Sequence, residues 1–219
     1  PLQLADAQEL EFPVAVILQP QQASDELSQE LNQHKSLAIR EPKIQPQHLD
    51  DYGISPVESI NQTITLSHDP LTGLPSHNLL LQRIEQELRF SDQKPDYNFA
   101  VLFVDVNRFK VINSSLGRII GDRLLIAIAQ RLQTCLRSHD FIARMGNDEF
   151  VILLSNVEHL NYATNVADRI YRELSVTFNL GGYEVFIEAN IGIAVGDREY
   201  DQPENLLRDA ELALSNAKR

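Results

Sequence analysis

The stretch "ARMGNDEFVILL", residues 143 to 154, predicts two β-strands joined by a tight turn. Gly146 and Asn147 are the expected turn residues, because both tolerate the positive φ angles that two-residue hairpin loops require. Two acids, Asp148 and Glu149, follow at once, and we expect Asp148 to begin the second strand. A hairpin has no structural need for charges there, so these acids either face solvent or serve chemistry.

The composition is that of an ordinary globular protein of 219 residues, 43% apolar and 23% charged. The net charge of −12 argues against nonspecific binding to nucleic acid or an anionic membrane, because both need clustered lysine and arginine. A small phosphorylated ligand remains compatible with it, since a few basic groups and a divalent metal can hold one.

One cysteine, Cys135, excludes an internal disulfide and fits a reducing compartment, so we expect a cytoplasmic location. The sequence contains no run close to the roughly 20 apolar residues that a membrane helix needs. We therefore expect no direct insertion of this chain into a membrane.

Residues 1–55 predict a small β-α-β segment, with strands in 12–18 and 36–42 around a helix in 23–35. Such a unit is too small to bury a core alone, and it resembles the second half of a response-regulator receiver domain. Residues 56–68 predict a helical linker, which either packs on its own domain or forms a short coiled-coil stalk.

Residues 69–219 predict an α/β fold of the α+β type. Strands are expected at 99–106, in the hairpin of residues 143–154, and in a second hairpin around Gly181 and Gly182 whose second strand covers 183–195. Helices are expected at 78–90, 108–117, 121–137, 161–174 and 203–218. Because two hairpins are mixed with helices, we expect a largely antiparallel central sheet flanked by helices.

Two carboxylates stand where apolar strands end or begin. Asp105 ends "FAVLFVD", where a buried carboxylate is costly unless it binds something, and Asp148 opens the second hairpin strand. If the strands are neighbours, these acids form a hard-oxygen site that suits Mg²⁺, with phosphate and water completing the shell. Two such metals could activate a hydroxyl and steady a leaving pyrophosphate. The alternative is a pair of solvated surface acids.

Four stretches occur in order after residue 69: "DPLTGLPSH", "FVDVNRFKVINSSLGRIIGDRLL", "IARMGNDEFVILL" and "DAELALSNAK". Together they resemble the GGDEF family of diguanylate cyclase domains. The resemblance implies a palm-like sheet of the nucleotide-cyclase and ferredoxin-like kind. It also implies that two GTP molecules are joined into cyclic di-GMP, with release of pyrophosphate, by two domains of a homodimer that use Mg²⁺ or Mn²⁺.

Arg108, where an aromatic residue is more usual, resembles GGDEF domains that precede an EAL phosphodiesterase domain. We therefore expect an attached EAL or sensory domain in the full-length protein.

The same resemblance implies a role for individual residues. The catalytic acids are Asp105, Asp148 and Glu149, and the metal ligands are Asp105, Asp148 and the carbonyl of Val106. The GTP-binding residues are Asn113 and Asp122 at the guanine edge, Lys110 and Lys218 at the phosphates, and Gly146 and Asn147 in the turn beneath the nucleotide.

A second, regulatory site is implied by "RSHD", residues 137–140. Arg137 and Asp140 match the family's inhibitory Arg-x-x-Asp pattern, which binds cyclic di-GMP. An arginine fork suits a phosphate or a guanine edge. The alternative is an exposed ion pair.

Residues 146–150 correspond to the Gly-Gly-Asp-Glu-Phe signature of the family, and they depart from it at Asn147, which replaces the second glycine. In addition, Asn107 replaces the second acid of the usual Asp-x-Asp. Asparagine tolerates left-handed φ, so the hairpin should survive. Its side chain, however, projects where the family has none, and a displacement of about 1 Å can cost roughly a hundredfold in rate. We expect a catalytically weak or inactive domain that binds GTP or cyclic di-GMP as a regulatory module. The alternatives are an active cyclase and a ligand-free dimerisation module.

Overall fold

A five-stranded sheet forms the centre of the computed structural model, which describes residues 14–17, 67–94, 96–157 and 159–218. The strands are β1 (Val14–Ile17), β2 (Phe99–Val106), β3 (Phe141–Gly146), β4 (Glu149–Leu154), β5 (Phe178–Leu180), β6 (Tyr183–Val185) and β7 (Ala189–Gly196). The helices are α1 (His77–Gln93), α2 (Phe109–Leu116), α3 (Arg118–Thr134), α4 (Leu160–Ser175) and α5 (Pro203–Ala217).

The strand order in the main sheet is β1-β7-β2-β4-β3. All neighbours are antiparallel except β1, which pairs in parallel with β7. β5 and β6 form a separate two-stranded sheet. The predicted antiparallel sheet flanked by helices is therefore confirmed.

The central strand β2 is buried on both faces, which explains its nearly continuous apolar sequence. Residues at alternate positions, such as Leu102 and Val104, pack in one core cluster with α3 and α4. The intervening residues, such as Val101 and Phe103, pack in a second cluster with α1 and α5. Each face of the sheet thus has its own hydrophobic core.

Helix α5 lies directly against β7 at Gly192. A Cβ atom there would lie 2.2 Å from the carbonyl oxygen of Ala210 and 2.2 Å from the backbone nitrogen of Leu214. Only glycine permits this close approach, and the approach brings the end of α5, with Lys218 just after it, to the edge of the sheet where β2 ends.

The helices α2 and α3 form a hairpin around Gly117. This residue has φ 85°, and its N–H donates to the carbonyl of Asn113. The positive φ angle ends α2 and lets α3 begin at once.

Two details of the strand prediction are wrong. The stretch 183–195 is not one strand, because it divides into β6 and β7 with a break at residues 186–188. The signature turn also lies one residue later than predicted: β3 ends at Gly146, so Asn147 and Asp148 are the turn residues and β4 begins at Glu149.

The strand predicted within residues 12–18 is present as β1, and it pairs with β7 of the main sheet. The helix predicted in 23–35, the strand in 36–42 and residues 56–66 of the linker predicted at 56–68 lie outside the described residues. None of the helices within the described ranges combines the length and the apolar character needed to cross a membrane.

Candidate functional site

The predicted meeting of acids at one edge of the sheet is present in the geometry. Asp105 is the cross-strand partner of Glu149 in the β2–β4 pair and of Asn190 in the β2–β7 pair. Directly opposite residues project on the same face of a sheet. Asp105, Glu149 and Asn190 therefore form one row across three strands, with Asp148 in the adjoining turn.

The turn that carries Asp148 is anchored at both ends. The ladder between β3 and β4 shifts register between Arg144 and Gly146, which leaves an extra residue on β3 as in a β-bulge. Gly146 has φ 130° and Asn147 has φ 41°. The carbonyl of Asp148 accepts a hydrogen bond of 3.3 Å from the N–H of Val106, so the turn is tied to the end of β2.

The acids of this edge carry negative charge that the protein only partly compensates. Burial, and then the charge of Asp105, raise the pKa of both Asp148 and Glu149 above their ordinary values. Lys218 compensates in part, with its Nζ 2.9 Å from Oδ2 of Asp105. A divalent cation would relieve the remaining repulsion.

The oxygen atoms at this edge of the sheet suit a Mg²⁺ or Mn²⁺ ion that has few protein ligands. Within the described ranges, no group of three or more His, Cys, Asp or Glu side chains is placed to hold a metal. Two carboxylates and a backbone carbonyl, with water and phosphate oxygens for the rest, are a usual shell for Mg²⁺. The predicted set of Asp105, Asp148 and the Val106 carbonyl is of this kind.

Arg144 connects the signature turn to the loop before α1. Its Nη1 donates to both carboxylate oxygens of Asp69, at 2.6 and 2.8 Å, and its Nη2 donates to the carbonyl of Asn147 at 2.6 Å. The two side chains are only 10% and 13% exposed. Burial opposes ionisation of Asp69, but the hydrogen bonds and charge of Arg144 prevail and lower its pKa.

The two predicted guanine-binding residues lie on the α2–α3 hairpin. Oδ1 of Asn113 is buried without a hydrogen-bond partner in the described structure. The amide of Asn113 packs over Gly121, where an added Cβ would lie 1.7 Å from that oxygen. Asp122 on α3 and Lys110 on α2 are exposed.

The predicted inhibitory pair lies in the turn between α3 and β3. Oδ2 of Asp140 accepts a 2.8 Å hydrogen bond from the backbone N–H of Arg137, while Oδ1 is buried without a hydrogen-bond partner. The Arg137 guanidinium lies over the ring of Tyr162, 4.1 Å from its centre. The two side chains form no ion pair with each other in this part of the structure, so the exposed-ion-pair alternative does not describe them.

Comparison with known proteins gives the family. The family model for the diguanylate cyclase, GGDEF domain, matches residues 66–219. This chain belongs to the GGDEF family. The match begins three residues before the start that the sequence motifs predicted and continues to the last residue of the chain.

Two curated relatives of this GGDEF domain come from Pseudomonas aeruginosa. The bifunctional diguanylate cyclase/cyclic di-GMP phosphodiesterase MucR is 38% identical over 151 residues, and the diguanylate cyclase TpbB is 39% identical over 153. Each alignment covers 69% of this chain, but only 22% of MucR and 35% of TpbB. The chain therefore spans about a fifth to a third of the length of these relatives.

Solved structures show the same GGDEF fold. The GGDEF domain of TpbB from Pseudomonas aeruginosa superposes with a TM-score of 0.67 at 38% identity, over 69% of this chain and 88% of that one. The coiled coil and GGDEF domain of DgcB from Caulobacter crescentus, in complex with c-di-GMP, has a TM-score of 0.67 at 18% identity, over 74% of this chain and 86% of that one. The second likeness concerns the fold alone.

The structure brings four of the predicted residues of the GGDEF site together: Asp105, Asp148, Glu149 and Lys218. Motif reading missed the side chains that support them. Asn190 of β7 donates a 2.7 Å hydrogen bond to Oδ1 of Asn107, and Arg144 holds the turn. An arginine inside the apolar strand "FIARMG" was the available signal for Arg144, because a charge in such a strand needs a partner.

Proposed function

We propose that this chain is the GGDEF domain of a cyclic di-GMP signalling protein that retains its nucleotide site but has weak or no cyclase activity. In this role it binds GTP, or cyclic di-GMP at Arg137 and Asp140, and biases an attached domain. One observation carries the proposal: Asn147, in place of the second signature glycine, adopts φ 41° in the turn beside Asp148.

The geometry supports this because the Asn147 backbone cannot easily move its side chain away. Its carbonyl accepts from Arg144 at 2.6 Å, and the next carbonyl in the turn accepts from Val106. A shift that clears space for a nucleotide breaks one or both of these hydrogen bonds. We infer that the exposed amide side chain of Asn147 competes with a nucleotide for space next to Asp148.

The other residues have roles in holding substrate. Asp105, Asp148 and the Val106 carbonyl would hold Mg²⁺ or Mn²⁺, which supplies electrostatic stabilisation of the phosphates when bound. Lys110 and Lys218 would contact phosphate oxygens, and Glu149 would lie beside them. Asn113 and Asp122 would bind the guanine edge, where an amide and a carboxylate offer complementary donors and acceptors.

An active diguanylate cyclase is the second candidate. It is favoured by the presence of all three predicted catalytic acids, with Asp105 directly opposite Glu149 across the β2–β4 pair. It requires that two domains meet face to face, so a homodimer belongs to this candidate. The third reading, a ligand-free dimerisation module, predicts that neither nucleotide raises the melting temperature.

The setting of the domain is also proposed. We propose that it belongs to a larger cytoplasmic signalling protein with an attached EAL or sensory domain. The name of MucR, which is both cyclase and phosphodiesterase, supports an attached domain. Val14–Ile17 pair with β7 of the main sheet. The rest of residues 1–55 would then belong to the sensory part and residues 56–68 to the linker.

The deciding experiment compares the parent chain with Asn147→Gly for cyclic di-GMP formation from GTP and Mg²⁺ at equal protein concentration. We expect the glycine variant to be faster, by up to about a hundredfold, because it removes the obstructing side chain. Adding Asp148→Ala to the glycine variant is the control and should abolish product. Equal and measurable rates in parent and glycine variant would show that Asn147 is tolerated and that the domain is a cyclase. If neither protein makes product, the block lies elsewhere than at Asn147.

Calorimetry with GTP in Mg²⁺, and separately with cyclic di-GMP, completes the test. Binding of either nucleotide by a parent chain that makes no product supports the regulatory module. If neither nucleotide binds, the proposed function is wrong and the dimerisation module is favoured.

A further inference from the structure

Tyr162 lies outside the Arg-x-x-Asp pattern of residues 137–140, but its ring contacts the side chain of Arg137. Tyr162 lies in the first turn of α4, whereas Arg137 lies in the turn between α3 and β3. The guanidinium of Arg137 nevertheless lies over the Tyr162 ring, 4.1 Å from its centre. This is the geometry of a cation–π contact, which holds a flexible arginine against a rigid surface.

One carboxylate oxygen beside this contact lacks a hydrogen-bond partner. Oδ1 of Asp140 is buried without such a partner in the described residues, and Nε2 of His139 lies 3.9 Å from it. Burial, and then the carboxylate of Asp140, raise the pKa of Tyr162, so the two groups are electrostatic neighbours. Buried polar atoms without partners are rare in folded proteins, so Oδ1 of Asp140 indicates a place for a polar ligand.

We propose that Tyr162 is a positioning residue of the cyclic di-GMP site, because its ring holds the Arg137 guanidinium in the orientation that binds the ligand. This inference rests on the proposed function, because it requires that Arg137 and Asp140 bind cyclic di-GMP. Tyr162 covers one face of the guanidinium, while the Arg137 side chain remains exposed to solvent. The uncovered face and the N–H fork are therefore presented outwards.

The chemistry of the ligand fits this arrangement. A planar guanidinium stacks on a flat ring and donates in a fixed fork to a phosphate or to a base edge. A ligand with both a purine base and a phosphodiester uses both properties. An arginine that is already held by a ring loses less conformational freedom on binding, so the tyrosine strengthens binding without touching the ligand.

The test is calorimetric titration of cyclic di-GMP into the parent chain and four variants. Tyr162→Leu removes the ring and should weaken binding about two- to five-fold, the range expected for an exposed cation–π contact. Tyr162→Phe keeps the ring and should bind like the parent. Arg137→Ala should lose binding, and Tyr183→Leu, which removes an exposed tyrosine on β6, should change nothing.

Two further readouts separate positioning from a structural role. GTP binding in Mg²⁺ should be unchanged in Tyr162→Leu, because the proposed GTP site lies elsewhere, at Asp105, Asp148 and Glu149. NMR of the parent without ligand should show the Arg137 side-chain protons shifted upfield by the Tyr162 ring. Absence of that shift in the parent overturns the inference, even if Tyr162→Leu fails to fold.

The outcomes distinguish the inference from the proposal beneath it. Parent-like affinity in Tyr162→Leu, with binding lost in Arg137→Ala, overturns the role of Tyr162 alone. If Tyr162→Phe loses as much affinity as Tyr162→Leu, the ring contact is also overturned. Absence of cyclic di-GMP binding by the parent overturns both this inference and the proposed cyclic di-GMP site.

Discussion

At the level of single residues, Arg144 fixes the position of the signature turn. It bonds to Asp69 through both carboxylate oxygens and to the carbonyl of Asn147 through its other nitrogen. The Asp69 carboxylate also accepts from Thr72, so one carboxylate organises the loop before α1. One arginine side chain therefore connects the turn to the loop.

Replacing Arg144 should be costly because it leaves Asp69 as an unpaired, largely buried charge. We expect Arg144→Ala to lower the free energy of unfolding by about 3 kcal/mol in urea denaturation. Arg89→Ala is the matched control, since its ion pair with Glu85 is exposed and should contribute less than about 1 kcal/mol. Equal losses in the two variants would show that the Arg144 pair is not a structural anchor.

The pH dependence of this pair follows from the lowered pKa of Asp69. An acid whose folded pKa lies below its unfolded value of 3.8 stabilises the fold fully above that value. The contribution is lost as pH falls through the folded pKa. The stability difference between parent and Arg144→Ala should therefore be constant above about pH 5 and shrink below pH 3.8, as measured by urea denaturation at each pH. A difference that stays constant down to pH 2 would contradict the assignment.

Asp148 differs from Asp69, because its surroundings destabilise the charged form of its carboxylate. Burial and the neighbouring Asp105 raise its pKa. We expect Asp148→Asn to raise the Tm of the metal-free domain, by no more than about 4 °C, since partly exposed charges interact weakly. Mg²⁺ should raise the Tm of the parent but not that of the variant.

The control for this prediction is Asp92→Asn, which removes an exposed acid from α1. It should leave both the Tm and the response to Mg²⁺ unchanged. A metal response that survives in Asp148→Asn would remove Asp148 from the proposed ligand set.

At the level of elements, the α2–α3 hairpin places Asn113 by means of Gly121. A glycine inside a helix normally costs about 1 kcal/mol relative to alanine. Here alanine would place its Cβ 1.7 Å from Oδ1 of Asn113. Gly121 thus lowers the stability of the helix, but it leaves room for the side-chain amide of Asn113.

A double-mutant cycle tests this dependence. In an Asn113→Ala background, Gly121→Ala should stabilise the domain by about 1 kcal/mol, because only helix propensity remains. In the parent the same change should bring no gain, and it should weaken GTP binding as Asn113→Ala does. Urea denaturation of the four proteins measures the coupling. Additive effects would show that the two side chains do not interact.

The signature hairpin shows which features the local sequence pattern predicts and which it does not. Alternating strands and turn residues identified β3, β4 and the neighbouring acids correctly, because these depend on residue type and spacing. The position of the turn was wrong by one residue, because a register shift lies between Arg144 and Gly146. Such a bulge follows from how both strands fit the sheet, including the Asp69–Arg144 bond, and no motif within the hairpin encodes it.

At the level of the whole molecule, the sheet is assembled from segments far apart in the chain. The apolar run of β2 predicted a buried strand, and its alternate residues do face two separate cores. The partner of β1 was not predictable in this way. A short apolar strand has no local signal for its neighbour, and only the uncovered edge of β7 determines the pairing of Val14–Ile17.

The pairing of β1 with β7 can be tested by proline substitution at two adjacent positions. In a strand, the N–H groups of consecutive residues point to opposite sides, so only one of Ala15 and Val16 can donate to β7. Proline removes that N–H. One of Ala15→Pro and Val16→Pro should therefore lower the free energy of unfolding by about 1 kcal/mol more than the other. Hydrogen exchange should also become faster along the outer edge of β7 in the more costly variant. Equal effects of the two prolines, with no change in exchange on β7, would mean that β1 does not complete this sheet and that the domain begins at its first signature loop.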